Sequence, residues 1–278
     1  MATLPRNVVD HLVGPASADP RVANWALVED ARYPLAITAA YLLAIPVLKG
    51  LMANREPMKL KTFSMVHNGI LFFLSLYMVV ETLRTARENF GWDKPGATLW
   101  CNPNDKTVTR GGKAAFATES GAALARVLHV HYLSKAYEFG DTIIMLLKKN
   151  YRQVSFLHVY HHATTFFPVW FCVVRYGPGG EAWFCCFLNS LVHVFMYGYY
   201  FGASLGVKIE AIKRSITQFQ MVQFLLFIAQ SVYILPFVTD CYRPRLSPYM
   251  LLVQCVVFFS LFFHFYVTTY LSRRPKRA

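Results

Sequence analysis

The stretch YMLLVQCVVFFSLFFHFYVTTYL, residues 249–271, runs for 23 residues without one Asp, Glu, Lys or Arg. About 20 apolar residues in a helix cross a hydrocarbon core of about 30 Å, and lipid offers no partner to a bare peptide group. The stretch therefore reads as a transmembrane helix. Moving outward, the same test marks six more blocks, at 33–51, 63–83, 122–147, 154–175, 183–205 and 216–238. A chain that is 55% hydrophobic is too oily for an ordinary soluble domain of 278 residues. The expected fold is an all-α polytopic membrane protein with seven transmembrane helices. One membrane domain covers 32–272, preceded by a short Pro- and Ala-containing segment at 1–31 and followed by a basic tail at 273–278. No charged n-region, short apolar core and small-residue cleavage site opens the chain, so the first block is expected to serve as the insertion signal. Residues 91–112 form the long connection, rich in turn residues, and no internal repeat is found.

The net charge of +13 is distributed by side. With seven spans, Lys49, Arg55, Lys59, Lys61, Lys148, Lys149, Arg152, Lys208, Lys213, Arg214, Arg273, Arg274, Lys276 and Arg277 share one side of the membrane. The other carries Arg6, Arg21, Arg32, Arg175, Arg243 and Arg245, with the long second loop set apart. The positive-inside rule then places the C-terminus in the cytosol and the N-terminus outside it, and no nucleic-acid partner is needed to explain the charge. The end Arg274-Pro-Lys276-Arg277-Ala278 is similar to a dibasic endoplasmic-reticulum retrieval signal. A basic stop-transfer flank is the alternative. Cys172, Cys185, Cys186 and Cys255 fall inside apolar blocks and read as packing residues. Cys101 and Cys241 fall in loops on the non-cytosolic side, where a disulfide between them is permitted if that side is the lumen.

Polar residues recur inside the blocks. The fourth opens with His158-Val-Tyr-His161-His162, whose imidazoles stand at i, i+3 and i+4 on a helix. Titratable groups at membrane depth are a functional-site hypothesis by default. The third block holds Lys135-Ala-Tyr-Glu138-Phe-Gly-Asp141-Thr142, one helical stripe that must face the bundle. A structural Lys135–Glu138 ion pair is the plainer reading of it. In the fifth, Asn189, His193, Met196, Tyr197 and Tyr200 form another stripe. In the sixth, Thr217, Gln220 and Gln223 recur every three residues. His67-Asn68, His129, His131 and His264 add to the count; a lone His264 reads as a hydrogen-bonded core residue, and His129 and His131 point to different faces. Four inward polar stripes imply a shared polar chamber near the cytosolic side.

In order and spacing these four segments resemble the KxxExxDT, HxxHH, NxxxHxxMYxYY and TxxQxxQ signatures of the fatty-acid elongase (ELO) family, over residues 135–223. His67-Asn68 and Phe265-Tyr266 look like further family positions. The resemblance implies six helices in a barrel around an acyl tunnel, with one peripheral helix, here the first. It implies a very-long-chain 3-oxoacyl-CoA synthase of the endoplasmic-reticulum membrane, condensing acyl-CoA with malonyl-CoA without cofactor or metal. It further implies an acyl-imidazole on His161, with His193 across the chamber orienting the thioester or handling protons. His158 and His162 would support His161, Asn189 and Gln220 would serve as neutral oxyanion donors, and Asp141 would fix a histidine tautomer. Substrate contacts are expected from Lys135, Glu138, Gln220, Gln223, Tyr197 and Tyr200. Lys148, Lys149, Arg152, Lys208, Lys213 and Arg214 suit the CoA phosphates, although positive-inside flanks explain them equally. Partners beyond acyl-CoA, malonyl-CoA and the bilayer would be a second copy of the chain and the reductase and dehydratase of the same cycle.

Two other readings fit a helical membrane protein with this many histidines. A di-iron desaturase or hydroxylase also uses HxxHH and about eight histidines, but here HxxHH occurs once and no HxxxH occurs outside it. A transporter or scaffold with a structural polar core would form no acyl adduct.

Overall fold

The structure, a computed structural model, describes residues 22, 24–92, 99, 119–171, 182–207, 210–238 and 246–272. These fold into α1 (Arg32–Met52), α2 (Lys61–Phe90), α3 (Glu119–Tyr137), α4 (Phe139–Leu147), α5 (Phe156–Val169), α6 (Ala182–Ser204), α7 (Glu210–Phe237) and α8 (Leu246–Tyr266). A π-helical turn, Val267–Leu271, extends α8. No strand occurs among the described residues. The protein is an all-α polytopic membrane protein. Five helical segments are long and apolar enough to span: Arg32–Met52, Lys61–Phe90, Ala182–Ser204, Ala211–Phe237 and Leu246–Leu271. The blocks at 122–147 and 154–175 are not among them. The first divides at Glu138 into helices of 19 and 9 residues, and the second holds a helix of 14 residues.

Neighbouring helices close a ring in the order α2, α3, α5, α8, α7, α6 and back to α2. α1 packs outside the ring against α4 and α5, with most of its surface exposed. Six segments around an interior and a peripheral first helix agree with the expected barrel. The α2–α6 contact is close because each helix offers a glycine to an aromatic ring of the other. A Cβ on Gly69 would lie 3.2 Å from Phe201, and one on Gly198 would lie 3.2 Å from Phe72. Without a hydrophobic driving force between helices in lipid, such small-residue contacts let packing and dispersion hold the pair together.

The break at Glu138 is local. Its carbonyl accepts the Asp141 N–H at 3.0 Å, an i to i+3 turn that overwinds the helix. Overwinding rotates Asp141 and Thr142 away from the stripe begun by Lys135.

At one end of the bundle, residues 24–31 are tied down. The carbonyls of Ala26, Leu27 and Val28 accept from His129 Nε2 (2.9 Å), Tyr132 OH (3.1 Å) and Trp170 Nε1 (3.0 Å). Val28 is buried against Tyr132 and Trp170 in the main apolar core. The end of the short segment before the first block is thus anchored by three side-chain donors. At this same end Arg32 pairs with Asp30, and Arg84 with Glu81 and Glu88. The opposite, basic end carries Lys148, Lys149 and Arg152 between α4 and α5, and Lys213 and Arg214 at the start of α7. Cys101, Cys241, Lys208 and the tail at 273–278 lie outside the described residues, and with them the disulfide and the retrieval signal.

Candidate active site

A cavity of about 100 Å³ opens inside the ring. Its walls come from α3, α5, α6, α7 and α8: His131, Lys135, His161, Thr165, Pro168, Val169, Ala182, Cys185, Asn189, Gln223, Phe224, Phe227, Ser247, Leu251, Gln254, Cys255 and Phe258. Lys135, His161, Asn189 and Gln223 come one from each of the four sequence motifs. The other walls are mostly apolar and continue along α8 from Phe258 to Ser247, eleven residues or about 17 Å of helix.

The three clustered histidines do not share one task. Ser155 caps α5 by accepting the His158 N–H at 3.2 Å, which starts the helix just before the cluster. The rings of His158 and His162, at i and i+4, meet at a tilt with centroids 4.5 Å apart. His158 Nε2 is 2.7 Å from Thr142 Oγ1, which also lies 3.1 Å from Tyr41 OH of α1. His162 sits among Tyr41, Phe139 and His158. The ring of His161 stands perpendicular to that of His162 and turns to the cavity, where Phe258 packs against it at 5.0 Å. The one hydrogen bond to His161 outside the helix ladder is from Thr165 to its backbone carbonyl, so among the described residues neither ring nitrogen has a partner. Of the three, His161 alone lines the cavity.

The stripe from Lys135 to Thr142 divides at the Glu138 turn. Lys135 Nζ donates to Glu138 Oε1 at 2.8 Å and to Asn189 Oδ1 at 2.7 Å. The ion pair of the plainer reading is therefore present, and it also orients Asn189. His193 Nδ1 is 3.3 Å from the same Glu138 oxygen but makes no hydrogen bond to it. Beyond the turn, Asp141 accepts from Tyr197 OH at 2.7 Å and lies 2.9 Å from His67 Nε2. The carboxylate does orient a histidine, but that histidine is His67 of α2 and not one of the α5 cluster. Gly140 makes this approach fit, since a Cβ there would lie 2.8 Å from His67 Cε1.

Other expected residues stand apart from the cavity. Gln220 Nε2 points to Met196 Sδ at 3.7 Å, and Gln223, one turn on, takes the cavity position. Tyr200 is 41% exposed, because the α6 stripe rotates outward beyond Tyr197. His264 is exposed rather than a core residue. Lys149 donates to the Ala53 carbonyl, and Arg214 is held by Tyr266 OH at 2.9 Å with its guanidinium 5.5 Å from that ring. Lys148 is half-buried and Arg152 and Lys213 are exposed at the same end.

The motifs did not single out His131 as a wall residue, nor Thr165, Cys185, Gln254 or Cys255. The signal for His131 is its place one turn before Lys135 on the same face; His129, on a different face, meets the Ala26 carbonyl instead. Among the described residues no three His, Cys, Asp or Glu side chains converge as a metal-holding group. His67, His129 and His158 are each turned to a different protein partner.

Comparison with known proteins agrees with the motif pattern. The family model ELO, described as the GNS1/SUR4 family, matches residues 26–278. The chain belongs to the ELO family. This ELO protein is 34% identical to very long chain fatty acid elongase 2 of Mus musculus, covering 97% of the chain and 86% of the relative. It is 32% identical to very long chain fatty acid elongase 4 of Homo sapiens, covering 94% and 77%. With very long chain fatty acid elongase 7 of Drosophila melanogaster it shares 33%, covering 93% and 75%. The ELO protein is accordingly a fatty-acid elongation protein of the membrane.

Proposed function

We propose that this chain is the condensing enzyme of elongation, a 3-oxoacyl-CoA synthase that works by a ping-pong route through His161. One observation carries the reading: His161 presents an unbonded imidazole to a cavity inside the ring, and each of the four motifs contributes one residue to its walls. A neutral imidazole nitrogen attacks the acyl thioester carbon, the C–S bond breaks, and CoA leaves with the proton released by the ring. The product is an acyl-imidazole with its chain along the apolar walls toward Leu251. Malonyl-CoA then loses CO2, and the resulting enolate carbon attacks the acyl carbon. The C–N bond breaks, the imidazole takes up a proton, and 3-oxoacyl-CoA departs.

The basic end, in this reading, faces the cytosol of an endoplasmic-reticulum membrane, with the N-terminus in the lumen. Lys148, Lys149, Arg152, Lys213 and Arg214 would receive the CoA phosphates there. His193, one turn beyond Asn189 on α6 and 3.3 Å from Glu138, would orient the acyl thioester or handle protons.

The test is an intact mass of purified protein incubated with a long-chain acyl-CoA alone. A covalent acyl increment is expected in the wild type and not in His161→Ala. Radiolabelled malonyl-CoA added afterwards should yield a labelled 3-oxoacyl-CoA. Free 3-oxoacyl product from a His161→Ala protein would remove the histidine from the mechanism.

A further inference from the structure

His131 belongs to none of the four motifs, yet it is 3% exposed and lines the cavity with His161. Its Nδ1 is buried with no hydrogen-bond partner among the described residues. Its other nitrogen, Nε2, is therefore the one at the cavity surface. A buried orphan N–H is costlier than an orphan lone pair, since donors left unpaired are the rarer case. The single proton of neutral His131 accordingly belongs on Nε2, facing the cavity.

Two neighbouring groups are turned the same way. Gln223, also 3% exposed, buries its Oε1 without a partner, which leaves its amide NH2 toward the cavity. Asn189 has its Oδ1 occupied by the Lys135 ammonium at 2.7 Å, so its NH2 remains free for the cavity it lines. Three neutral side chains from α3, α6 and α7 thus turn their acceptors into protein and their donors toward one small space beside His161. Such an arrangement binds a developing negative oxygen better than a neutral carbonyl, because fixed donors need no reorganisation when the charge appears.

We propose that His131 is a further catalytic residue, donating from Nε2 to the carbonyl oxygen of the acyl group as it becomes an oxyanion, together with Asn189 and Gln223. The inference rests on the acyl-imidazole reading above and adds the group that stabilises both tetrahedral intermediates. When His161 attacks, the thioester C=O electrons move onto oxygen and return as the C–S bond breaks. In the second half-reaction the same oxygen takes the charge while the C–C bond forms and returns it as the C–N bond breaks. His131 keeps its proton throughout, so no co-reactant is required.

The experiment measures the two half-reactions separately in the purified full chain, with CoA release from acyl-CoA alone followed by quenched-flow mass spectrometry. His131→Phe keeps an aromatic ring without the donor, and His131→Gln keeps a donor. The expected result is acylation and condensation both slowed by about 100-fold in His131→Phe, with acyl-CoA binding affinity and thermal unfolding unchanged. His131→Gln should recover at least a tenth of the lost rate. Should His131→Phe fail to fold, Gln223→Leu, which removes a second donor, must show the same paired slowing. Wild-type acylation rates in a folded His131→Phe overturn the proposal while leaving the acyl-imidazole reading intact. An equal loss in His131→Phe and His131→Gln also overturns it, as a packing effect. Absence of any adduct in the wild type defeats both readings together.

Discussion

Gly140→Ala offers a test in which two local effects have opposite signs. In an isolated helix the change stabilises by about 1 kcal/mol, because alanine restricts the unfolded backbone that glycine leaves free. In this protein the new Cβ would stand 2.8 Å from His67 Cε1, 3.4 Å from Nδ1 and 3.7 Å from Nε2. An ordinary contact begins at 3.4 Å, so the buried ring must withdraw by roughly 0.6 Å. That withdrawal lengthens the His67 Nε2 to Asp141 Oδ1 contact from 2.9 Å to the edge of hydrogen bonding. Overpacking costs about 1–3 kcal/mol, and a weakened interhelical hydrogen bond in a membrane about 1–2. The net expectation, after the helix gain, is a destabilisation of about 1–4 kcal/mol. Thermal or denaturant unfolding in detergent or bicelles measures it. The decisive arm is the double variant. With His67→Ala the ring is gone, and Gly140→Ala added to it should then stabilise by up to about 1 kcal/mol. The same sign in both backgrounds would refute the steric account of Gly140.

Tyr197→Phe removes the phenol that donates to Asp141 Oδ2 at 2.7 Å and should cost about 1–2 kcal/mol, whereas Tyr200→Phe, on an exposed side chain, should stay within about 0.5. Equal losses in the same unfolding assay would mean that the two tyrosines share an environment. Glu138→Ala strands the buried Lys135 ammonium and should destabilise by about 3–5 kcal/mol, with Lys135→Met/Glu138→Ala recovering much of that. A double variant as unstable as Glu138→Ala alone would contradict that account.

The apolar blocks were legible because the bilayer imposes a length and a composition on whatever crosses it, as α1, α2, α6, α7 and α8 show. Spacing along the chain also recovered the pairs that lie about one turn apart, namely Lys135 with Glu138 and His158 with His162. Contacts between helices were less legible. The stripe from Lys135 to Thr142 is a single face on an ideal helix, and the tight turn at Glu138, which no periodicity announces, sends its two halves to different neighbours. Gln220 and Gln223 are equivalent by spacing, and only the position of α6 and α8 around α7 turns one toward Met196 and the other into the cavity.

By itself the sequence determined the membrane class, the helical content, the elongase family and a short set of polar residues, because each of these depends on local length, composition and order. Tertiary structure decided which of those residues face the same empty space. His158, His161 and His162 look alike along the chain. Thr142 draws His158 to one side, Tyr41 and Phe139 enclose His162, and Phe258 packs against His161 where the cavity begins. The selection rests on partners from α1, α4 and α8, more than 10 residues away in the chain in each case, and distance along the sequence carries no information about which of them arrives.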